Sequence, residues 1–548
     1  MAKKSSSNPI VLRADANIGN SAAEADDEFL FRCFVDHPAL SIMADTASAK
    51  LFLSGRTGTG KTAIISMIKR NNKNSSEIDL ADLALGYVAN SDFIQFLNAL
   101  GVDLDIFFQA LWKHVFCIEY IRLRYGVKNA TESKSFFQSV TNFFDRDERR
   151  ATALKYLSAW EGKFWITMDE NIKEITQKIE TSIDTELSGE VEKFKARAGY
   201  ARSLSSEKRS SLVARAKKVI NSSLLAELSK VLDLLAEFEP SNKYNESYYI
   251  LVDKIDEKWV DDSIRYQLIR ALIECLRSFR KISDLKTIVS IRSDVLERVV
   301  QESNHPGFQR EKYDDYFFRL KWDKSQLWKL VNKRINFLFR KKYSSESVFF
   351  NDVFDKKVGN KDSFDYMLER TLMRPRDIIS YVNLCLSAAE GKSKVTQSII
   401  RKAESEYSRV RLQALIEEWE SAYPSLRIAF DIISRKGSDF YPQYLLSKEF
   451  IEDFMLEVDD QPAAHLDPIA HDVLKAISMK GDATEKVVTG HLISELYRIG
   501  AVSLKTSATE PFQHSHKDVP VIKASAISKD TKIKIHPMLH IALNINSS

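Results

Sequence analysis

Gly55-Arg56-Thr57-Gly58-Thr59-Gly60-Lys61-Thr62 is the segment that most restricts what this chain can fold into. It fits G-x-x-x-x-G-K-[ST], the P-loop pattern. The apolar run Leu51–Leu53 precedes it like a buried strand, and Ala63–Ile68 continues like a helix. A strand, a glycine-rich turn and a helix in that order form the setting in which the pattern carries chemistry. Glycines let successive backbone N–H groups converge on phosphate oxygens, at a helix N-terminus that already favours an anion. In this reading residues 55–60 cradle the phosphates of ATP. Lys61 reaches the β- and γ-phosphates, and the Thr62 hydroxyl ligates Mg2+.

The fold class that follows is α/β: a P-loop NTPase core with a parallel sheet, a long helical insertion, a helical lid and a C-terminal winged-helix-like domain. With 548 residues, 44% of them hydrophobic and 28% charged, the chain has room for roughly three to four domains. No segment approaches the ~18 apolar residues of a membrane span, so no membrane partner is expected. The basic N-terminus lacks the apolar run of a secretory signal. Cys33, Cys117, Cys275 and Cys385 lie far apart, which argues against a zinc or disulfide framework and for a reducing, cytoplasmic setting. A net charge of +4 does not by itself imply nucleic acid.

Residues 1–27 are poor in large apolar groups and read as a flexible tail. The ATPase core is assigned to 28–325, with strands at Leu51–Leu53, Glu77–Leu85, Tyr248–Val252, Leu285–Ile291 and Tyr316–Trp322. An insertion over 130–245 is nearly free of proline and glycine. Its apolar residues, such as Ile172, Ile175, Ile179 and Ile183, recur at helical spacing. Residues 326–400 form the lid, 401–466 a helical linker, and 467–548 the winged-helix-like domain. In that last domain helices at Pro468–Ser478, Glu485–Val488 and His491–Ile499 precede strands at Ala501–Leu504, Val519–Ala524 and Lys532–His536.

Phosphoryl transfer also needs an acidic metal ligand, a group that orients water, and cations. Tyr249–Val252 is an apolar run ending in Asp253, at the strand edge where ligands bind in open α/β sheets. Asp253 is expected to hold Mg2+ through water. Asp256 and Glu257 follow within a turn, and one of them orients the attacking water, with Asp256 preferred. Both residue types also suit a helix N-terminus on dipole grounds alone. Arg292 closes the next core strand, where a cation can meet the γ-phosphate or a surface carboxylate. Arg374-Pro375-Arg376-Asp377 opens a lid helix, with Pro375 suited to its first turn. Arg376, in preference to Arg374, is the residue expected over the nucleotide; a capping role explains it equally well. His536 and His540 have a metal-compatible spacing, but no cysteine or carboxylate cluster accompanies them.

The succession of P-loop, Val252-Asp253-Lys254-Ile255-Asp256, Ser290-Ile291-Arg292 and Arg374–Asp377 resembles the STAND and origin-recognition-like branches of the AAA+ ATPases. Tyr248–Trp259, Leu268–Ile273, Tyr200–Lys208 and Arg374–Asn383 are similar to bacterial P-loop ATPases of the FunZ-like group. The similarity covers most of residues 30–420. It implies an ATP- and Mg2+-dependent switch that self-assembles into a homo-oligomer and controls a protein effector or sensor, in antiviral defence. Many AAA+ proteins have Glu directly after the metal-binding Asp, where this chain has Lys254; the departure favours slow hydrolysis.

The alternative is a DNA-binding ATPase of the initiator or loader kind. The winged-helix reading supports it, and so do the nine basic residues between Lys193 and Lys218. A solvated helix face accounts for such a run as well. A nucleotide-binding scaffold without catalysis remains open if Asp256 and Glu257 both point away from the phosphates.

Overall fold

The computed structural model describes residues 11–80, 104–127, 153–157, 246–257, 262–302, 312–342, 346–420, 423–445 and 482–545, with a few positions between 206 and 235. The described residues divide into two compact units. One is drawn from 36–56 and 61–320, the other from 1–35, 57–60 and 321–548. The proposed insertion, including Lys193–Lys218, lies almost wholly outside the described residues, and so does the helix expected at Pro468–Ser478.

The first unit is built on a parallel five-stranded sheet. Its strands are β1 (Phe52–Gly55), β2 (Ser75–Ile78), β3 (Tyr248–Val252), β4 (Leu285–Arg292) and β5 (Phe317–Arg319), in the order β2-β3-β4-β1-β5. Every pairing is parallel. β1 and β3 are buried throughout, and β4 in all but its last residue. This accounts for their continuous apolar runs, because a parallel sheet is covered on both faces. The covering helices include α1 (Lys61–Asn71), α2 (Asp105–Tyr125), α3 (Asp262–Phe279) and α4 (Ser293–Glu302). In α2, Trp112 and Phe116 are completely buried, and the Trp112 indole N–H donates to the Leu268 carbonyl of α3 at 2.9 Å. α2 ends at Gly126, whose φ of +65° closes the helix in the left-handed conformation.

The second unit is helical with a small sheet. Its main helices are α5 (Lys324–Lys342), α6 (Pro375–Ala388), α7 (Gln397–Trp419) and α8 (Asp482–Ile499). They share one apolar core from Leu12 to Ile545. Pro375 occupies the first turn of α6, as its missing N–H permits.

Residues 11–27 contradict the flexible-tail expectation. Leu12, Ala16 and Ile18 are buried. Leu12 exchanges backbone hydrogen bonds with Lys392 and Gly391 at 2.9 Å. Asn383 of α6 accepts from the Ile18 amide and donates to the Gly19 carbonyl, both at 2.8 Å. Asp26 and Arg334 form a buried ion pair at 2.6 Å. Composition misleads here because a strap needs only a few apolar anchors when its polar backbone is satisfied from outside.

The C-terminal assignments also need correction. β6 (Asp439–Phe440), β7 (Val502–Lys505) and β8 (Lys532–Ile535) form an antiparallel sheet in the order β6-β8-β7. A strand from the supposed helical linker thus completes the terminal sheet, so the boundary at 466/467 does not separate two bodies. Glu485–Val488 and His491–Ile499 are one continuous helix, α8, and Val519–Ala524 is not a strand.

His536, buried next to β8, makes the fold pH-sensitive. Its Nδ1 accepts from the Met538 amide at 3.2 Å. Burial, then His514 and Lys517, push its pKa down to about 3, from an ordinary value near 6.5. A folded value below the unfolded one gives stability above pH 6.5 that is lost as pH falls from there toward 3. By pH 5 the loss is about 2 kcal/mol. Urea unfolding at pH 7 and pH 5 is expected to show this drop. His114, held near 3 by its own burial, adds a drop of the same sign. His536→Asn should reduce the difference by about 2 kcal/mol; an unchanged difference contradicts the assignment.

Candidate functional site

The parallel register brings the motif residues to one end of the sheet. Gly55, the last residue of β1, pairs with Arg292, the last of β4, and Val252 of β3 pairs with Val289. Asp253 therefore follows β3 at the level of Ser290. Because β4 lies between β1 and β3, the loop lysine, the metal-type aspartate and the strand-end arginine converge on one edge.

Lys61 opens α1 and is buried at 9% exposure. Its ammonium donates to the Gly55 and Arg56 carbonyls at 3.2 and 3.3 Å. Burial lowers its pKa, and the charges of Asp256 and Asp253 oppose that shift. Asp256 is the reciprocal case: burial raises its pKa, while Arg292 and Lys61 pull it back down. Arg292 Nε lies 3.6 Å from Asp256, and its guanidinium is held by Asp294 at 3.0 and 2.7 Å. The structure thus unites Lys61, Asp253, Asp256 and Arg292 in one electrostatic cluster.

Glu257 is not part of that cluster. Lys254 takes a left-handed φ of 58°, a conformation that costs a residue with a Cβ and concentrates at functional turns. The Glu257 amide then donates back to the Lys254 carbonyl at 3.0 Å. This tight turn brings Asp256 inward. It leaves Glu257 64% exposed and 3.9 Å from the Lys254 ammonium. Of the two carboxylates proposed to orient water, only Asp256 faces Lys61 and Arg292.

Ser290 is a residue the motif reading passed over. Its hydroxyl donates to the Asp253 carboxylate, and both groups are buried. A small hydroxyl inside an apolar strand gives a weak sequence signal; the signal is the break in the run Ile288–Ile291. Asp294, two residues past β4, is the other omission.

The loop tip, Thr57–Gly60, clusters with the second unit. Gly58 and Gly60 have φ of +77° and +93°. A Cβ at Gly58 would lie 2.7 Å from that of Arg376, so the arginine packs where only glycine leaves room. The Arg376 Nε donates to the Ser21 carbonyl at 3.4 Å. Arg374, the less favoured arginine in the sequence reading, is the more deeply set: it is 4% exposed and donates to the Thr57 carbonyl at 2.8 Å.

These residues fit a phosphate ligand and a hard cation. Among the described residues the buried Thr57 hydroxyl has no hydrogen-bond partner. The loop carries two left-handed glycines, Gly58 and Gly60, and α1 begins at Lys61. The Asp253 carboxylate and the Thr62 hydroxyl are the oxygen donors Mg2+ prefers. Among the described residues there is no group of three or more His, Cys, Asp or Glu side chains that could hold a metal ion.

The sheet, the loop and the strand-end acid define a P-loop NTPase fold. A family described as the FunZ-associated C-terminal helical domain matches residues 325–416. A putative transposon gamma-delta 80.3 kDa protein of Escherichia coli K12 is 23% identical over 303 residues, 54% of this chain and 40% of its own length. Allergen Alt a 2 of Alternaria alternata is 27% identical over 125 residues, 22% of this chain and 65% of its own length. The chain thus spans less than two thirds of either relative. A Walker-type ATPase of Pyrococcus abyssi aligns with 96% of this chain and 97% of its own at 11% identity, with a TM-score of 0.35.

Ser290→Ala removes a donor from a buried carboxylate without changing side-chain shape much. A hydrogen bond to a charged group contributes about 2 kcal/mol. The variant should lose about that much unfolding free energy in urea at pH 7. A loss well under about 0.5 kcal/mol would make the hydroxyl a packing element only.

Proposed function

We propose that this chain is an ATP-binding, slowly hydrolysing switch that uses Mg2+, self-assembles, and controls a protein effector or sensor. The observation that carries the reading is the cluster of Lys61, Asp253, Asp256 and Arg292 at the C-terminal edge of the sheet, where the phosphate loop ends. Bound Mg2+ would supply charge neutralisation on the phosphates, held by Thr62 and, through water, by Asp253. Lys61 would hold the β- and γ-phosphates. Asp256 would accept a hydrogen bond from the attacking water and orient it. Arg292, now committed to Asp294 and Asp256, would turn toward the γ-phosphate as its charge develops.

Slow turnover follows from the position after Asp253. Lys254 takes a left-handed turn there, and the acid available to water sits two residues farther on. The match to a FunZ-associated helical domain agrees with the FunZ-like resemblance of the sequence, and the expectation of a role in antiviral defence rests on that resemblance alone. The reading as a DNA-binding initiator or loader draws on helix α8 followed by the antiparallel strands β7 and β8, and on a relative named for a transposon. Among the described residues no helix is long and apolar enough to cross a membrane.

Single-turnover hydrolysis of ATP tests the role of Asp256. Asp256→Asn should bind Mg-ATP but hydrolyse it about 100-fold more slowly. Because burial raises the Asp256 pKa, the wild-type rate should rise with pH through a midpoint above the ordinary carboxylate value of 3.8. That limb should vanish in the variant. A wild-type rate in Asp256→Asn contradicts the assignment.

A further inference from the structure

The phosphate loop has a second face. A peptide plane that aims its N–H at an anion aims its C=O the opposite way, and a buried carbonyl left unpaired is costly. Within the helical unit three successive loop carbonyls are taken up by three groups. Arg374 Nη1 donates to Thr57 at 2.8 Å, the Arg376 amide to Gly58 at 3.3 Å, and the Trp322 indole Nε1 to Thr59 at 2.7 Å.

Arg374 is itself fixed. Its Nε donates to Asp377 at 3.0 Å, and its Nη1 lies 3.4 Å from Glu418. Asp377, fully buried, also pairs with Arg411 at 2.8 Å. Two cations and two carboxylates thus form a neutral buried quartet spanning α6 and α7. Apolar residues would fill that volume at lower cost, so stability alone is a poor explanation for it. What the quartet does is hold one guanidinium N–H on one loop carbonyl.

We propose that Arg374 and Trp322 are positioning residues for phosphate binding: they fix the loop's carbonyls from behind and so preset its amides, without touching the ligand. The inference rests on the reading of Gly55–Thr62 as an ATP site, and deepens it. Ordered amides lower the cost of binding because the loop need not be arranged when the phosphate arrives. The effect is specific to the phosphate part of a ligand. Trp322 was hidden in sequence because it is distant from the motif, and Arg374 was weighed there only for a place over the nucleotide.

Calorimetry with Mg-ATP and with Mg-tripolyphosphate, on the full chain, tests the proposal. Trp322→Phe keeps an aromatic ring and loses the donor. It should weaken both ligands by the same factor, about five-fold for one neutral hydrogen bond, with ligand-free unfolding still cooperative and lowered only by the loss of that one hydrogen bond. Arg374→Lys should weaken both more strongly. It also disturbs the quartet, so Trp322→Phe is the deciding variant. Wild-type affinity for both ligands in Trp322→Phe overturns the proposal, and so does a loss confined to ATP. Wild-type protein that binds neither ligand overturns the ATP-site reading and this inference with it. Wild-type binding that Lys61→Ala abolishes while Trp322→Phe leaves it intact overturns this inference alone.

Discussion

An ammonium group almost wholly removed from water sits at the centre of the candidate site's edge of the sheet, and the rest of that edge is organised around it. Burial of a lone cation costs several kcal/mol. Lys61 meets that cost with two loop carbonyls and the fields of Asp256 and Asp253. Those carboxylates need neighbours in turn. Asp253 takes the Ser290 hydroxyl, and Asp256 lies beside Arg292, which Asp294 shares. Each group is where it is because the parallel register puts the ends of β1, β3 and β4 side by side. The charges are close to balanced without a ligand, and a polyphosphate with its metal would redistribute them.

Much of the core was readable because its signals are local. The loop announces itself through three glycines and a lysine, and continuous apolar runs mark β1, β3 and β4. Asp253 follows from the end of such a run. Asp256 and Glu257 could not be separated by spacing, since the difference between them is the left-handed turn at Lys254. No propensity predicts that conformation for lysine. Ser290 was hidden by its chemistry, a short polar side chain that looks incidental until its partner is known.

The helical unit was less legible. The helical linker was expected from residue 401, whereas α7 runs unbroken from Gln397, and the strap over residues 11–27 was missed because its anchors are supplied by Asn383, Arg334 and the 391–392 backbone. β6 is two residues long and gains its identity only by pairing with β8. Preference between Arg374 and Arg376 also turned on tertiary packing. Pro375 fixes where α6 begins, yet only the structure shows that the first arginine is buried in the Asp377 quartet and the second lies over Gly58.

The central claim is that the backbone N–H groups of this loop are the ligands for phosphate. Hydrogen exchange at the amides of residues 57–62, with and without Mg-ATP, measures it most directly. The account predicts that these amides slow markedly when Mg-ATP is present, and that adenosine alone leaves them unchanged. Mg-ATP that binds and protects other segments while exchange at 57–62 stays the same would contradict it.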